Sequence, residues 1–327
     1  MASSSKSPGE FELIASLVRG LKTSRRTILG PGDDCAILAP SHKPLLYTID
    51  SMVEDVHFRL AWGPTEKLGA KALAVNLSDI AAMGGRPTVC VVNLGVRPGL
   101  TQRFFDRLYA GLGSLARRHG VDIVGGNITR CAQLTITVAL LGEVNRVALR
   151  RDTARPGDEI YVTGTVGDSS TGVRILDGRI KAHGDARRFL VERHLNPTPR
   201  LAAGAALSRM TPPPSVIDIS DGLLQDLGHI LERSRVGAEV DACAVPVSDA
   251  YQSVMGNVLS CALGGGEDYE LLFCLRPGYT ERILSRRLGI AVKRIGRIVR
   301  GKSLVVRDAS GKRISTVAGW DQLRSRQ

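Results

Sequence analysis

The stretch Thr65–Gly85, TEKLGAKALAVNLSDIAAMGG, lies between two apolar segments, PLLYTID at 44–50 and PTVCVVNLGV at 87–96. The flanking segments are rich in Val, Leu and Tyr, which favour strands. The stretch itself ends in two glycines and carries apolar residues at helical spacing, namely Leu73, Leu77 and Ile80. This order of strand, helix and strand predicts an α/β fold.

The rest of the chain continues the same mixture of elements. In the first half we predict a helix over 101–120 and strands over 121–127 and 134–144. In the second half we predict strands over 159–163, 215–219 and 269–275, with helices over 168–177 and 222–235. The turn Arg-Pro-Gly-Asp marks a change near residue 148. We therefore expect a disordered tail at 1–8 and two α/β (α+β) domains, 9–147 and 148–327.

Composition excludes several classes of protein. The chain has 327 residues and a net charge of +12, and it has no apolar run long enough for a membrane span. Its first ten residues, MASSSKSPGE, lack the apolar core of a secretory signal. The six cysteines form no C-x-x-C pair, which favours reduced thiols over zinc. We expect a cytoplasmic protein with no membrane partner.

The C-terminal region is strongly basic. Residues 276–327 hold fourteen Lys or Arg and three acids. Two interpretations stay open at this point, a solvated basic surface and a face that binds polyanions. Stacking aromatic residues are not interleaved with these charges, and no zinc-finger or RNP-type motif is present. We therefore expect no nucleic-acid partner. Binding of a small phosphorylated ligand would need only a milder excess of positive charge than a nucleic acid.

Acidic residues recur where strands end or helices begin. Asp34 follows a Gly-Pro-Gly turn in ILGPGDDCAIL, with Asp33 beside it. Asp50 ends an apolar strand, and Thr48 lies two residues earlier on the same face. Three further groups follow the same rule: Asn76 with Asp79; Asp218, Ser220 and Asp221; and Glu267 with Asp268.

Each acid taken alone has an ordinary structural explanation, such as helix capping or surface exposure. Taken together they supply many oxygen ligands and no His or Cys cluster, which suits a hard cation, above all Mg²⁺. Magnesium held by carboxylates usually serves phosphate chemistry. Two Gly-rich turns, at 122–129 and 162–172, suit phosphate as well, although neither matches a P-loop or a protein-kinase loop.

Nine segments occur in an order that resembles a known family. They are GEFELIASL, GPGDDCAIL, TIDSMVEDVHF, KALAVNLSDIAAMGGRP, VGGNITR, YVTGTVGDSSTG, RHLNPTPR, IDISDGLLQDLGHI and GGGEDYELLF. Together they resemble the thiamine-monophosphate kinases, within the superfamily of aminoimidazole-ribotide synthetase. The resemblance runs from about residue 9 to Trp320. It implies the two-domain synthetase fold, with an N-terminal domain that contributes to a dimeric β-barrel and a C-terminal α/β domain.

The resemblance also implies an activity. The γ-phosphoryl group of ATP would pass directly, in line, to thiamine monophosphate with Mg²⁺ present, and the enzyme would form a homodimer. Whether K⁺ assists stays open. The implied metal ligands are Asp34, Thr48, Ile49, Asp50, Asp79, Asn127, Asp218 and Asp221. The implied ATP contacts are Gly126, Asn127, Arg151 and Ser220. The implied thiamine contacts are His57, Glu267 and Trp320, and no side chain is expected to act as a covalent catalyst.

The sequence departs from the family pattern at two positions. The family usually reads Gly-Gly-Asp-Thr-Thr where this chain has Asn127 in place of the Asp. An amide keeps an oxygen ligand and loses the charge, so we expect weaker binding of one Mg²⁺. Ile49 replaces a hydroxyl residue, and its backbone carbonyl is the remaining ligand.

Other functions fit the sequence less well than the kinase. Selenophosphate-synthetase-like proteins need a reactive Cys near the N-terminal Gly-rich stretch, and the nearest, Cys35, lies inside the acidic turn. Hydrogenase-maturation relatives end in a reactive Cys, whereas this sequence ends LRSRQ. A non-enzymatic polyanion-binding protein would show salt-sensitive binding to nucleic acid. That alternative leaves the acids in apolar settings without a partner.

Overall fold

A computed structural model describes residues 9–32, 34–314 and 319, without the side chains of residues 10 and 11. The chain divides into two compact units. The N-terminal unit comprises Met1–Ile80 and Arg86–Val144, and the C-terminal unit comprises Ala81–Gly85 and Asn145–Gln327. The tail predicted at 1–8 lies outside the described residues. Among the described helices, none combines the length and the hydropathy that a membrane span requires.

The N-terminal unit contains a four-stranded mixed sheet and a two-stranded one. Its helices are α1 (Glu10–Val18), α2 (Thr65–Ala82) and α3 (Gln102–His119), with a 3-10 turn at Leu60–Trp62. Its strands are β1 (Thr27–Leu29), β2 (Ile37–Leu38), β3 (Leu45–Val53), β4 (Gly85–Val96), β5 (Asp122–Arg130) and β6 (Thr135–Val144). The larger sheet has the order β3-β6-β4-β5, in which β3 and β6 run antiparallel and β4 and β5 run parallel.

Two glycines allow α2 and α3 to pack closely. A Cβ atom at Gly69 would lie 1.9 Å from the carbonyl oxygen of Leu108. Reciprocally, a Cβ atom at Gly111 would lie 1.8 Å from the carbonyl oxygen of Glu66. Any side chain at either position would push the helices apart. This contact fixes α2, and therefore fixes the polar side chains that α2 carries.

Strand β3 separates two kinds of residue by alternation. Thr48 and Asp50 are half-buried on the face that includes the buried Met52. Tyr47 and Ile49 point to the other face and are 70% and 60% exposed. The period of two along a strand therefore places Thr48 and Asp50 on the covered side of the sheet.

The C-terminal unit is built on a six-stranded sheet of order β12-β9-β11-β7-β10-β8. Its strands are β7 (Glu159–Thr163), β8 (Ser215–Asp218), β9 (Gly237–Asp241), β10 (Leu271–Leu275), β11 (Val292–Val299) and β12 (Leu304–Arg307). Its helices are α4 (Asp168–Leu176), α5 (Gly184–Leu195), α6 (Leu201–Leu207), α7 (Leu223–Ser234), α8 (Asp249–Met255), α9 (Ser260–Gly264) and α10 (Glu281–Leu288), with a 3-10 turn at Ala242–Ala244.

The core of this unit surrounds the buried strand β10. All five residues of β10 are buried, and its neighbours β7 and β8 both run antiparallel to it. Leu271 pairs with Asp218, so the last residue of β8 lies beside the first residue of β10. The two loops that follow and precede these residues, 219–222 and 264–270, therefore lie side by side.

Candidate active site

The loop between β8 and α7 is organised by a buried carboxylate. Asp218, at the end of β8, is 2% exposed, and Asp226, in the first turns of α7, is 1% exposed. Oδ2 of Asp226 accepts hydrogen bonds from the backbone N–H groups of Ser220 (3.1 Å), Asp221 (3.1 Å) and Gly222 (3.0 Å). Three donors on one oxygen fix the loop backbone, and with it the positions of Asp218 and Asp221.

Negative charge accumulates around this loop. Burial raises the pKa of Asp226 to about 7, with repulsion from Asp218 adding to the effect. Asp221, Asp226 and His229 bring one possible ligand atom each to within 4.8 Å of one another. A cation would favour the ionised forms of these acids, so the loop has the electrostatics of a cation site.

The facing segment, 264–270, has a constrained backbone. The N–H groups of Glu267 and Tyr269 donate to the carbonyls of Ser220 (2.8 Å) and Ile219 (2.9 Å). Both donors have left-handed backbones, with φ of 65° and 53°. A Cβ atom at Gly266 would lie 2.4 Å from the Ser220 carbonyl oxygen. Left-handed non-glycine residues are uncommon and cluster at functional sites, so this pair of loops is the leading candidate.

A buried ion network lies next to the second loop. Glu270 is fully buried and accepts hydrogen bonds from Thr163 Oγ1 (2.7 Å), Arg193 Nη2 (2.9 Å) and Arg200 Nε (2.7 Å). Arg193 Nε also lies 3.6 Å from Oδ2 of Asp168. Two guanidinium groups around one carboxylate satisfy the buried charge. The network ties the segment RHLNPTPR to β7 and β10.

Asp268 anchors the start of α4. Its two carboxylate oxygens accept the backbone N–H groups of Gly167 (2.6 Å) and Ser169 (3.1 Å). Burial raises the pKa of Asp268 to about 8, and Asp168 adds to the shift. These bonds satisfy N–H groups that a helix start leaves without partners. The Gly-rich turn at 162–172 is thereby joined to the loop that carries Glu267.

In the N-terminal unit, the polar residues of β3 and α2 meet. Thr48 Oγ1 donates to Asp79 Oδ2 at 2.5 Å. Asp50 lies on the same face of β3 as Thr48. Asn76, one helical turn before Asp79, is fully buried and donates to the Ala72 carbonyl at 3.1 Å. The arrangement gathers hydroxyl and carboxylate oxygens at one place on the covered face of the sheet.

Strand β5 carries a separate group of polar residues. Asn127 pairs with Asn93 of β4 across parallel strands. Its Nδ2 donates to Asn93 Oδ1 at 3.0 Å and to Thr129 Oγ1 at 2.9 Å. Gly126 lies so close to β4 that a Cβ atom there would be 2.1 Å from the Val92 carbonyl oxygen. The two side chains that accept hydrogen bonds from Asn127 are therefore both neutral.

Comparison with known proteins identifies the family. Residues 32–144 match the N-terminal domain, and residues 155–309 the C-terminal domain, of AIR synthase related proteins. The thiamine-monophosphate kinase of Escherichia coli (strain K12) is 42% identical over 288 residues, 86% of each protein. The crystal structure of thiamine-monophosphate kinase from Stenotrophomonas maltophilia has a TM-score of 0.80 at 36% identity, covering 92% of this chain and 95% of that chain. The chain belongs to the thiamine-monophosphate kinase family.

A second related structure holds ligands. AaThiL complexed with AMPPCP and TMP matches with a TM-score of 0.76 at 33% identity. The match covers 96% of this chain and 97% of that chain. The comparisons confirm the predicted mixed α/β two-domain fold and the assignment to the thiamine-monophosphate kinases.

Three further residues of this kinase that were predicted to belong to the site, Asp34, His57 and Arg151, lie in different local environments. Asp34 is exposed in the bend between β1 and β2. His57 Nδ1 accepts the backbone N–H of Val53 at 3.1 Å, so the proton of a neutral ring lies on Nε2. Arg151 has an exposed side chain, and its carbonyl accepts Ser234 Oγ at 2.8 Å. Asp33 and Trp320 lie outside the described residues.

Five polar residues of the site were not predicted to have a role: Asp226, Glu270, Arg193, His194 and Arg200. Four of them fall in the segments RHLNPTPR and GGGEDYELLF, and Asp226 falls in SDGLLQD. An acidic residue one helical turn after a Ser-Asp-Gly loop can be recognised in the local sequence, because such a residue accepts hydrogen bonds from the N–H groups of the loop. The ion pairs of Glu270 join residues 70 and 77 positions apart, and no local pattern reveals them.

The basic C-terminal region forms ion pairs in the described part of the chain. Lys293 lies 3.3 Å from Glu281. Arg294 Nη1 lies 2.6 Å from Glu159 Oε1. Arg297 Nη2 lies 2.7 Å from Glu239 Oε2. These pairs neutralise part of the surplus positive charge, which favours the solvated-surface interpretation of 276–327.

Proposed function

We propose that this chain transfers the γ-phosphoryl group of ATP to thiamine monophosphate, giving thiamine diphosphate and ADP. The observation that carries the proposal is its 33% identity, over 96% of its length, to AaThiL, which is known complexed with AMPPCP and TMP. AMPPCP is an ATP analogue whose γ-phosphoryl group cannot transfer. A protein that binds both this analogue and TMP binds the two partners of a phosphoryl transfer.

Two groups of oxygen ligands support magnesium as the cofactor. In the N-terminal unit Asp34, Thr48, Asp50, Asp79 and Asn127, with the Ile49 carbonyl, would hold the ion. In the C-terminal unit Asp218 and Asp221 would do so. The donor set fits Mg²⁺, because hydroxyl, amide and carboxylate oxygens are its preferred ligands. When bound, Mg²⁺ neutralises phosphate oxygens. We include K⁺ as a candidate activator, to be tested by exchanging KCl for NaCl.

Other residues are proposed to bind the two substrates. Ser220 and Arg151 in the C-terminal unit, and Gly126 and Asn127 on β5, would contact ATP. The exposed Arg151 guanidinium can form two parallel hydrogen bonds to phosphate. Glu267 would accept hydrogen bonds from the aminopyrimidine of thiamine. His57 and Trp320 complete the proposed thiamine contacts, and Trp320 offers a flat face for a cationic ring.

The direct test is an assay with ATP, Mg²⁺ and thiamine monophosphate, with thiamine diphosphate and ADP measured by chromatography. Equal amounts of the two products support transfer of the phosphoryl group from ATP to thiamine monophosphate. Thiamine without its phosphate is the matched control, because it lacks the acceptor oxygen. ADP release without diphosphate, or no product at any Mg²⁺ concentration, rejects the proposed function.

We further propose a homodimer that uses the exposed face of β3, as the barrel arrangement expected from the family requires. Leu45, Tyr47 and Ile49 are 57%, 70% and 60% exposed on the edge strand of the sheet. A row of exposed apolar side chains on an edge strand invites pairing with a second copy. Sedimentation of a Tyr47→Asp, Ile49→Asp variant should show a monomer, whereas Val258→Asp should remain dimeric. A monomeric wild type rejects the dimer.

The proposed location is the cytoplasm. All six cysteines, which are all described, are free thiols. This state suits a reducing compartment.

A further inference from the structure

His194 is a buried histidine whose ring contacts the carboxylate of Glu267. It lies near the end of α5 and is 1% exposed. Its Nδ1 lies 3.3 Å from Glu267 Oε2 and 3.1 Å from Ser169 Oγ. One ring nitrogen is therefore within hydrogen-bond distance of two polar side chains.

Glu267 faces two environments. Its side chain is 26% exposed, with His194 on the buried side. Its backbone is left-handed and held by the hydrogen bond from its N–H to the Ser220 carbonyl. A fixed backbone leaves only side-chain rotation free, and contact with a buried group restricts that rotation as well. The carboxylate is thus presented beside the 219–222 loop in a defined orientation.

The ring of His194 is itself held firmly. Ser169 is fully buried on α4, and its backbone N–H donates to Asp268 at 3.1 Å. The preceding residue, Arg193, is bound to the buried Glu270 at 2.9 Å. The contacts of His194 with Ser169 and of Arg193 with Glu270 therefore restrain the part of α5 that carries the ring. A buried polar ring with fixed partners specifies geometry more than it adds stability.

We propose that His194 is a positioning residue for substrate recognition. Through Nδ1 it holds the Glu267 carboxylate in the orientation that accepts hydrogen bonds from N–H donors on the nitrogen heterocycle of the phosphate acceptor. This inference rests on the proposed function. It adds a residue of the segment RHLNPTPR to the acceptor site, behind the carboxylate that touches the acceptor. ATP binding does not depend on this contact.

Three substitutions separate positioning from packing. His194→Asn places its amide nitrogen close to where imidazole Nδ1 lies, whereas His194→Gln places it one bond farther out, and His194→Leu removes it. We expect His194→Leu to raise KM for thiamine monophosphate about tenfold, the usual effect of losing one hydrogen bond to a charged group. His194→Asn should stay within about threefold of wild type. KM for ATP should not change in any variant. His183→Leu, at the exposed start of the same helix, is the matched control.

A double substitution tests whether the effect passes through Glu267. In a Glu267→Gln background, His194→Leu should cause no further rise in KM, because the carboxylate it positions is gone. Equal effects of His194→Asn and His194→Leu, additive effects in the double variant, or an equal rise in KM for ATP would each overturn the proposal. If His194→Leu does not fold, the comparison of Asn with Gln at 194 decides: a weaker effect of Asn supports positioning, and equal effects overturn it.

Calorimetry keeps this inference distinct from the proposed function. Thiamine monophosphate is titrated into wild type and His194→Leu in the presence of AMPPCP, and no turnover is needed. Tenfold weaker binding to the variant supports the positioning role even if no diphosphate is ever formed. A wild type that makes diphosphate, together with a variant that binds as tightly, overturns the positioning role alone.

Discussion

Arg200 forms two hydrogen bonds to the carboxylate of Glu270: Nε donates to Oε2 at 2.7 Å, and Nη2 donates to Oε1. The carboxylate is fully buried, and Arg193 supplies its second positive partner. The pair links the start of α6 to the residue that precedes β10. Its geometry holds the loop carrying Glu267 against the sheet, so the ion pair is part of the framework of the site.

We expect Arg200→Met to lower the free energy of unfolding by about 3 kcal/mol, because a buried carboxylate loses half of its compensation. Urea unfolding followed by circular dichroism measures the change. Arg209→Met, an exposed arginine just after α6, should change stability by less than about 0.5 kcal/mol. Equal stabilities of the two variants would show that Arg193 alone satisfies Glu270.

Local patterns predicted the elements around this framework well, because each depends on neighbours in sequence. The helix over 65–85 is found at Thr65–Ala82, and the strand over 159–163 is found at Glu159–Thr163. Alternation along TIDS correctly placed Thr48 and Asp50 on one face. The strand over 269–275 is found at Leu271–Leu275. By contrast, α5, α6 and the strands β9, β11 and β12 were not predicted. Several of these elements are short, or are charged on one face, and are stabilised mainly by distant contacts.

The features of the site also divide into those that local sequence predicts and those that depend on distant contacts. Glycines and acids in sequence drew attention to Asp218, Asp221 and Glu267, and the structure brings the loops that carry them side by side. The contact of Thr48 with Asp79 spans 31 positions, and that of Ser169 with His194 spans 25. Such contacts follow from how helices pack on a sheet and on one another, which no local window of sequence contains. The positions of Asp34 and Trp320 relative to the other ligands stay predictions.

Gly266 and Gly228 form a matched pair for testing the loop. Gly266→Ala would force the Ser220 carbonyl to move, since the new Cβ would lie 2.4 Å from it. We expect kcat/KM for phosphoryl transfer to fall by about 100-fold, because small displacements of positioning groups are costly. Gly228 lies inside α7 with no atom within 4 Å of an added Cβ. Gly228→Ala should keep full activity and gain about 0.5–1 kcal/mol of stability. Full activity in Gly266→Ala would argue against a rigid loop.

Asp268 should make stability depend on pH. Its pKa is raised from 3.8 to about 8 in the folded protein, so the folded state binds more protons than the unfolded state between these values. Stability should therefore fall as pH rises from about 4 to about 8. Asp268→Asn keeps an acceptor oxygen and does not ionise. We subtract the Tm of wild type from the Tm of this variant at each pH. This difference should be at least about 4 °C larger near pH 8 than near pH 5. A Tm difference that does not change with pH would contradict the assignment.

Asp79 is expected to be a magnesium ligand held by Thr48. Asp79→Asn should lower kcat at moderate Mg²⁺ by about 100-fold and raise the Mg²⁺ concentration needed for half-maximal rate. Thr48→Val should have a smaller effect in the same direction, because it removes the hydrogen bond and one oxygen. Asp106→Asn, on the exposed side of α3, is the control and should match wild type. Loss of activity in Asp79→Asn with an unchanged Mg²⁺ requirement would point to a structural role.

Substitution of Asn127 by Asp is the opposite of Asp79→Asn, because it adds a negative charge to a proposed magnesium ligand. Its amide nitrogen is engaged by Asn93 and Thr129, so the side chain offers at most a neutral oxygen to a cation. Asn127→Asp restores the acid usual in the family, and we expect it to lower the Mg²⁺ concentration for half-maximal rate by about 3–10-fold, since ligand charge sets cation affinity. Asn257→Asp adds the same charge at an exposed position after α8 and should leave the Mg²⁺ dependence unchanged. If Asn127→Asp also leaves it unchanged, Asn127 is not a magnesium ligand, and the other proposed oxygen ligands hold the ion.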